Sequence, residues 1–187
     1  LGSNILGYDG ELSGLTHFKE DPRAIPFQVL GNPPGRALII GAAGGHEILA
    51  SLYFGATSVD AVELNPVTTS LLAERYARYS GHLVTQPGVS LTTGDGRTHL
   101  TRSDTPFDLI WFVAPDSYAA GNAASSGAFV LSESYLYTVE MLREALNHLT
   151  DRGIIVAQFG EYDFEVRPNR TARYVSTAYA ALNESGV

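Results

Sequence analysis

The stretch RALIIGAAGGHE, residues 36–47, followed after a helix's length of chain by SVDAVELN, residues 58–65, decides the fold. An apolar run from Ala37 to Ile40 stops at Gly41 and passes through Ala42, Ala43, Gly44 and Gly45 into a helical pattern. That order reads as a buried strand, a tight turn and a helix N-terminus. Small residues there let the backbone approach a ligand, and the free N–H groups of the first helical turn offer it donors. Glu63 closes a second apolar strand (Val59, Ala61, Val62). It lies about 20 residues beyond the glycines, the distance at which the acid of a nucleotide-binding βαβ unit accepts from ribose hydroxyls. Ala43 and His46 stand where a strict G-x-G-x-x-G carries its second and third glycines, which argues against a pyrophosphate. The competing reading is a tight turn in an α/β domain that holds no ligand.

A chain of 187 residues has room for one domain with a good-sized core. Its net charge of −8 makes duplex nucleic acid or an anionic membrane surface an unfavourable partner and favours a cationic one such as an amine. Cysteine is absent, which removes disulfides, thiolate metal sites and cysteine nucleophiles together. No apolar run reaches the roughly 18 residues of a membrane span, and the start lacks the regions of a signal peptide, so a soluble polypeptide is expected. LGSN at the start reads as partly an expression remnant.

Outward from the glycine turn, residues 5–18 suggest a small strand pair or extended lead-in, from Asp9-Gly10, Ser13-Gly14 and their apolar flanks. Residues 19–34 hold four of the nine prolines and read as an irregular segment against the first strand, with Ile25, Phe27 and Leu30 covering one side of the cleft. Helical spacing marks residues 48–54, then 67–79 after Asn65-Pro66, with a short helix over 98–102. Val89 to Thr93 is a third strand running into Gly94-Asp95-Gly96-Arg97, and FDLIWFV, residues 107–113, is a buried fourth that leads to Asp116 and Tyr118. Ligands of open parallel sheets bind above strand carboxyl ends, so Asp116 points to the same crevice as Gly41, Glu63 and Asp95. Residues 119–129, rich in Ala, Gly and Ser, read either as a mobile lid or as a packed small-residue loop. The longest amphipathic helix spans 132–149 with Ser132 as N-cap; Asp151-Arg152-Gly153 turns into a fifth strand over 154–159, and a last helix covers 170–182. This βα alternation predicts a mainly parallel sheet of order 3-2-1-4-5 with right-handed crossovers over residues 35–187, with residues 1–34 packed on it as an irregular or short-strand lead-in.

These motifs together resemble the spermidine synthase (aminopropyltransferase) family, a branch of the class I S-adenosylmethionine-dependent methyltransferase superfamily with a Rossmann-like fold. The likeness runs from about Tyr8 to the end and rests on LIIGAAGG, VELNP, GDGR, FDLIWFVAPD and DRGIIVAQ, in that order. A closer likeness is to the spermidine-synthase-like domains fused to multi-span membrane proteins, which carry a similar GAFVLSESYLYTVE, residues 127–140. The resemblance implies a cytoplasmic polyamine-type transferase with S-adenosylmethionine or decarboxylated S-adenosylmethionine as co-substrate and no metal. It implies ribose on Glu63, adenine on Asp95 beside Gly96, and the methionine-like tail along Gly41, Ala42, Ala43, Gly44 and Gly45. A sulfonium ligand without phosphate suits acids and backbone, and the chain's single lysine, Lys19, lies far upstream.

Departures bear on activity. The family's fourth strand ends in Asp-x-x-Asp; here those positions are Val113 and Asp116, so the expected general base is lost. Gly44 replaces the family's aspartate that meets the aminopropyl amine, with His46 and Glu47 nearby as substitutes or, for Glu47, as a helix-dipole partner. Asp116 orients the nucleophile or is an ordinary turn residue. Tyr118, Tyr135 and Tyr137 offer an amine cation-π faces or belong to the core. No histidine pairs with carboxylates at metal-site spacing, and no nucleophile motif supports hydrolysis. Two alternatives stand beside aminopropyl transfer: methyl transfer on the same scaffold, for which Gly44 leaves space, and a non-catalytic S-adenosylmethionine-binding regulatory module of a larger membrane protein. With only residues 183–187 after the last helix, the family's strand 6–7 hairpin is expected to be missing. A homodimer, or the rest of a longer protein, is then expected to cover the fifth strand's edge.

Overall fold

The computed structural model describes residues 4–113, 135–158 and 164–186. Five strands, β1 (Arg36–Ile40), β2 (Ser58–Glu63), β3 (Val89–Thr93), β4 (Phe107–Val113) and β5 (Leu149–Gln158), form one parallel sheet of order β3-β2-β1-β4-β5, as the alternation predicts. Parallel neighbours need crossovers, and these carry helices α2 (His46–Tyr53), α3 (Pro66–Ser70), α4 (Gly96–Thr101) and α5 (Val139–Asn147). Helix α1 (Ile25–Leu30) precedes the sheet, and α6 (Asn169–Ser185) follows it.

Alternation along each strand separates two apolar layers. On one face Ala37, Ile39, Val59, Ala61, Leu109 and Trp111 pack with Ile48 and Leu49 of α2, Phe27 of α1, and Tyr8, Leu15 and Phe18 of the N-terminal segment. On the other, Leu38, Ile40, Val62, Ile110 and Phe112 meet Leu100 of α4, Met141, Leu142 and Ala145 of α5, and Ala181 of α6. Strands covered on both faces read as continuous apolar runs, which is why FDLIWFV stands out in the sequence.

At the amino ends of the strands, Asp108 holds three chain segments together. Its Oδ2 accepts from the main-chain N–H groups of Gly35 (2.7 Å) and Arg36 (3.0 Å), and its Oδ1 from Thr150 Oγ1 (2.8 Å). Burial alone would raise this carboxyl's pKa, but the bonds from Arg36, Thr150 and Gly35 outweigh it and hold the group below its ordinary value.

The structure departs from the sequence expectations in four places. The N-terminal segment forms 3-10 helices (Leu12–Gly14, Thr16–Lys19, Pro22–Ala24) and α1 in place of a strand pair, because it has no strand neighbour and Asp21 accepts from Arg23 N with Pro22 in the first turn. Within α1, Phe27 stacks on Phe54 in the core, whereas Ile25 is 57% exposed. The helix expected over 67–79 is α for only five residues and then π over Leu71–Arg75, with Tyr76 N bonded to Leu71 O. The helix expected from 132 begins at Val139 in α5, where extended Thr138 accepts from Met141 N and Tyr135–Tyr137 forms a 3-10 turn; Ser132 lies outside the described residues. Finally, Asp151-Arg152-Gly153 is not a turn into β5 but part of it, in a strand that starts at Leu149 and shifts register against β4 between Phe107 and Leu109. Gly153 makes this feasible, since a Cβ there would lie 2.7 Å from Phe107 O. Phe159 lies outside the described residues. Among those described, no strand pairs with the outer edge of β5.

Candidate functional site

Parallel strands bring the turns after β1, β2 and β3 to one edge of the sheet, and main-chain bonds lace them together. The N–H groups of Gly41 (2.8 Å) and Ala42 (3.0 Å) donate to Val62 O, and Gly94 N donates to Glu63 O (3.0 Å). Gly41 has φ +89°, and a Cβ on it would meet Val113 O at 2.7 Å, so only glycine lets β1 end beside β4.

Half-buried Glu63 holds the glycine turn in place. Its Oε2 accepts from Ala43 N (2.8 Å) and its Oε1 from Asn65 N (2.9 Å), while Ala43 itself is a non-glycine residue at φ +42°. A carboxylate oxygen takes more than one donor, so each keeps capacity toward the cleft. Asp95 is likewise engaged locally: it caps α4, with Oδ1 accepting from Thr98 N and Thr98 Oγ1, both at 2.8 Å. Gly96, first residue of that helix, is buried, and a Cβ on it would run into the Ile40 side chain.

At the start of α2, Glu47 is 4% exposed and accepts from Arg23 Nε at 2.8 Å. The same guanidinium reaches both oxygens of Asp21 at 3.0 Å through Nη1. Glu47 therefore serves as the buried partner of the partly exposed Arg23 guanidinium, a role neither of the sequence readings gave it. Burial depresses the pKa of half-buried His46, and the charge of Arg23 adds to the effect against the opposing pull of Glu47 and Asp21. Gly44 leaves no space: a Cβ there would overlap the carbonyl oxygen of Asn4. The room expected beside it for methyl transfer is filled by the chain's own N-terminal segment.

No family model matches the chain. It is 24% identical over 136 residues, 73% of its own length and 45% of the relative's, to the polyamine aminopropyltransferase of Thermoplasma volcanium. Spermidine synthase from Thermotoga maritima superposes with a TM-score of 0.61 at 16% identity over 87% of this chain and 50% of that one. A spermidine synthase in complex with the transition-state analogue AdoDATO gives 0.62 at 16% identity, over 86% and 48%. The chain has a spermidine-synthase-like fold. Human methyltransferase-like protein 13 in complex with SAH shares the wider architecture, with a TM-score of 0.54 at 16% identity over 84% of this chain and 70% of that one. The chain spans about half the length of the aminopropyltransferase and spermidine synthases it matches.

Within this spermidine-synthase-like fold, the structure brings together Gly41, Ala42, Ala43, Gly44, Gly45, Glu63, Asp95 and Gly96 at one edge of the sheet. Asp116, Tyr118 and residues 119–129 lie outside the described residues, as does the side chain of Tyr135. Tyr137 packs edge-on against Tyr174 of α6, ring centroids 6.2 Å apart, which is a packing role. Sequence reasoning missed the Arg23–Glu47 pair and the position of Asn4. Both are non-local contacts, and no spacing pattern signals them.

A polar groove of about 410 Å³ runs from Asp95 and Thr98 past Thr92 to Asp60 and Arg36 at the opposite end of the sheet. It shares Asp95 with the cleft but leaves the glycine turn behind. Arg36 is occupied there by Asp60, by Ser103 Oγ (3.2 Å) and by Thr105 O (2.7 Å). Among the described residues no group of three or more His, Asp or Glu stands close enough to hold a metal ion, and no helix is long and apolar enough to cross a membrane.

Proposed function

We propose that this chain is a transferase domain that binds S-adenosylmethionine or its decarboxylated form, with ribose on Glu63, adenine near Asp95 and the tail along the glycine turn. The reading is carried by the convergence of Gly41, Glu63 and Asp95 at the carboxyl ends of three adjacent parallel strands. It is supported by the AdoDATO of one structural neighbour and the SAH of another. In the reaction, an acceptor's lone pair attacks a carbon bonded to the sulfonium. The C–S bond breaks, its electron pair stays on sulfur as a neutral thioether, and the acceptor's proton leaves to base or solvent. Such an in-line displacement needs alignment and exclusion of water more than covalent help. The resemblance assigns the orienting of the nucleophile to Asp116 and an aromatic face toward the acceptor to Tyr118.

Val113 and Gly44 leave two carboxylates missing where a cationic amine would be held. Aminopropyl transfer to putrescine is therefore expected to be weak or absent, and methyl transfer is the second reading this observation favours. Calorimetric titration with S-adenosylmethionine, decarboxylated S-adenosylmethionine and methylthioadenosine tests the proposal. Binding of an adenosyl ligand that weakens in Glu63→Ala is the supporting result, and donor preference separates the two chemistries. No binding of any of the three would refute it. Robust spermidine formation would restore the aminopropyl reading, and weak activity abolished in Asp116→Asn would assign a residual catalytic role to Asp116.

A further inference from the structure

Three glycines far apart in sequence, Gly7, Gly44 and Gly81, are tight for one reason. A Cβ on Gly44 would overlap Asn4 O and lie 2.8 Å from Asn4 C and 3.3 Å from Ile5 N. One on Gly81 would meet Tyr8 O at 2.8 Å and Gly10 N at 2.9 Å, and one on Gly7 would sit 3.1 Å from the Tyr79 ring. Tyr8 N donates to Tyr79 O at 3.0 Å, Tyr8 is 6% exposed, and Leu6 packs on the core. Residues 4–8 thus form a strap, fixed at Tyr79–Gly81 by one end and lying against the glycine turn at Gly44 by the other. Contacts under 3 Å are ones that a side-chain carbon does not make, so the turn and the strap are matched main chain to main chain.

Gly44 sits between Ala43, which Glu63 holds, and Gly45, which opens α2. A ligand whose ribose rests on Glu63 and whose tail follows the turn must reach this place. We propose that residues 4–8 are a wall of the cleft, with the main chain of Asn4 standing where a side chain at position 44 would otherwise meet the ligand's tail. The proposal rests on the adenosyl reading and adds a specificity role: the tail end is shaped by neutral main chain from a distant segment. The strap then positions ligands that have an amino-acid tail and is indifferent to those that lack one.

The test uses S-adenosylmethionine and methylthioadenosine, which share adenosine and differ in the tail, against four proteins: the full chain, Gly44→Ala, the chain without residues 1–6, and the two changes combined. Gly44→Ala is expected to lift Asn4, to weaken S-adenosylmethionine at least about tenfold and to leave methylthioadenosine within about threefold. Loss of residues 1–6 should do the same, and Gly44→Ala should cost nothing further in the shortened chain, because both act through one contact. Hydrogen exchange at the Tyr8 amide should quicken in Gly44→Ala. Retained methylthioadenosine binding shows that the variants fold. Equal weakening of both ligands, or an undiminished effect of Gly44→Ala in the shortened chain, overturns the strap while leaving the adenosyl reading intact. Failure of both ligands to bind the full chain overturns the strap and the adenosyl reading together, and failure of methylthioadenosine alone overturns the strap only.

Discussion

The carboxylate of Glu63 accepts from the main-chain N–H of Ala43 at 2.8 Å, tying the end of β2 to the one residue of the glycine turn that holds positive φ without being glycine. A left-handed conformation costs a non-glycine residue roughly 1–2 kcal/mol, and a charge-assisted hydrogen bond is of comparable size. Glu63 thus shapes the turn before any ligand arrives. Glu63→Ala should therefore weaken an adenosyl ligand by roughly 1.5–3 kcal/mol and also lower the urea midpoint of the empty protein. Adding Ala43→Gly relieves the strained residue and should recover part of the stability but none of the affinity. Unchanged affinity in Glu63→Ala would remove Glu63 from the site.

Acid sensitivity should be traceable to His46. Its folded pKa lies below the ordinary 6.5, with burial as the main cause. The unfolded chain then binds the proton first as pH falls, so stability is flat above about pH 6.5 and declines from there down to the folded pKa. Melting temperatures of the wild type and His46→Asn at about pH 7.5 and about pH 5.5 check this. The variant should lose less on acidification, and an equal loss would mean that other groups carry the effect.

The GDG motif contains two glycines with opposite demands. Gly96→Ala drives a methyl group into Ile40, an overpacking that costs roughly 1–3 kcal/mol against a helix-propensity gain of at most about 1. Gly94 has nothing within 4 Å of a Cβ, so Gly94→Ala should stay within about 0.5 kcal/mol. Urea midpoints of the two variants are the measurement; equal midpoints would mean that Ile40 moves aside.

What the sequence made legible was what local pattern encodes. Apolar runs ending at a small residue or at Glu63 marked β1, β2 and β4, and the βα alternation was enough for the strand order, because few topologies satisfy right-handed crossovers. The glycine turn, Glu63 and Asp95 came with it, since their spacing follows from the strands. Helix 67–79 was misread because the apolar spacing of Leu71, Leu72 and Tyr76 is shared by α and π turns. β5 was misread at Asp151-Arg152-Gly153, whose turn composition marks the register shift against β4 inside a strand that already starts at Leu149. The small residues of the turn read as room for a ligand's approach; that a Cβ at positions 41, 44 and 96 would also meet Val113, Asn4 and Ile40 was not legible. Those neighbours are distant in sequence and leave no local signature.

The last prediction concerns the ion pair at the start of α2, whose two members differ in what remains if one is removed. Glu47 is buried with Arg23 as its ion-pair partner, whereas Arg23 is partly exposed and also holds Asp21. Arg23→Met leaves a buried carboxylate uncompensated, a situation that costs about 3–5 kcal/mol when complete and less here because the site is not sealed. Glu47→Met leaves Arg23 with Asp21 and with water, so its cost should be the smaller. The double variant replaces both charges by apolar chains of similar length and should regain most of what Arg23→Met loses. Chemical denaturation of the three variants reads this directly: a larger loss in Glu47→Met than in Arg23→Met would show that the pair exists to hold the arginine, and additive losses would show that the two side chains do not act as a pair.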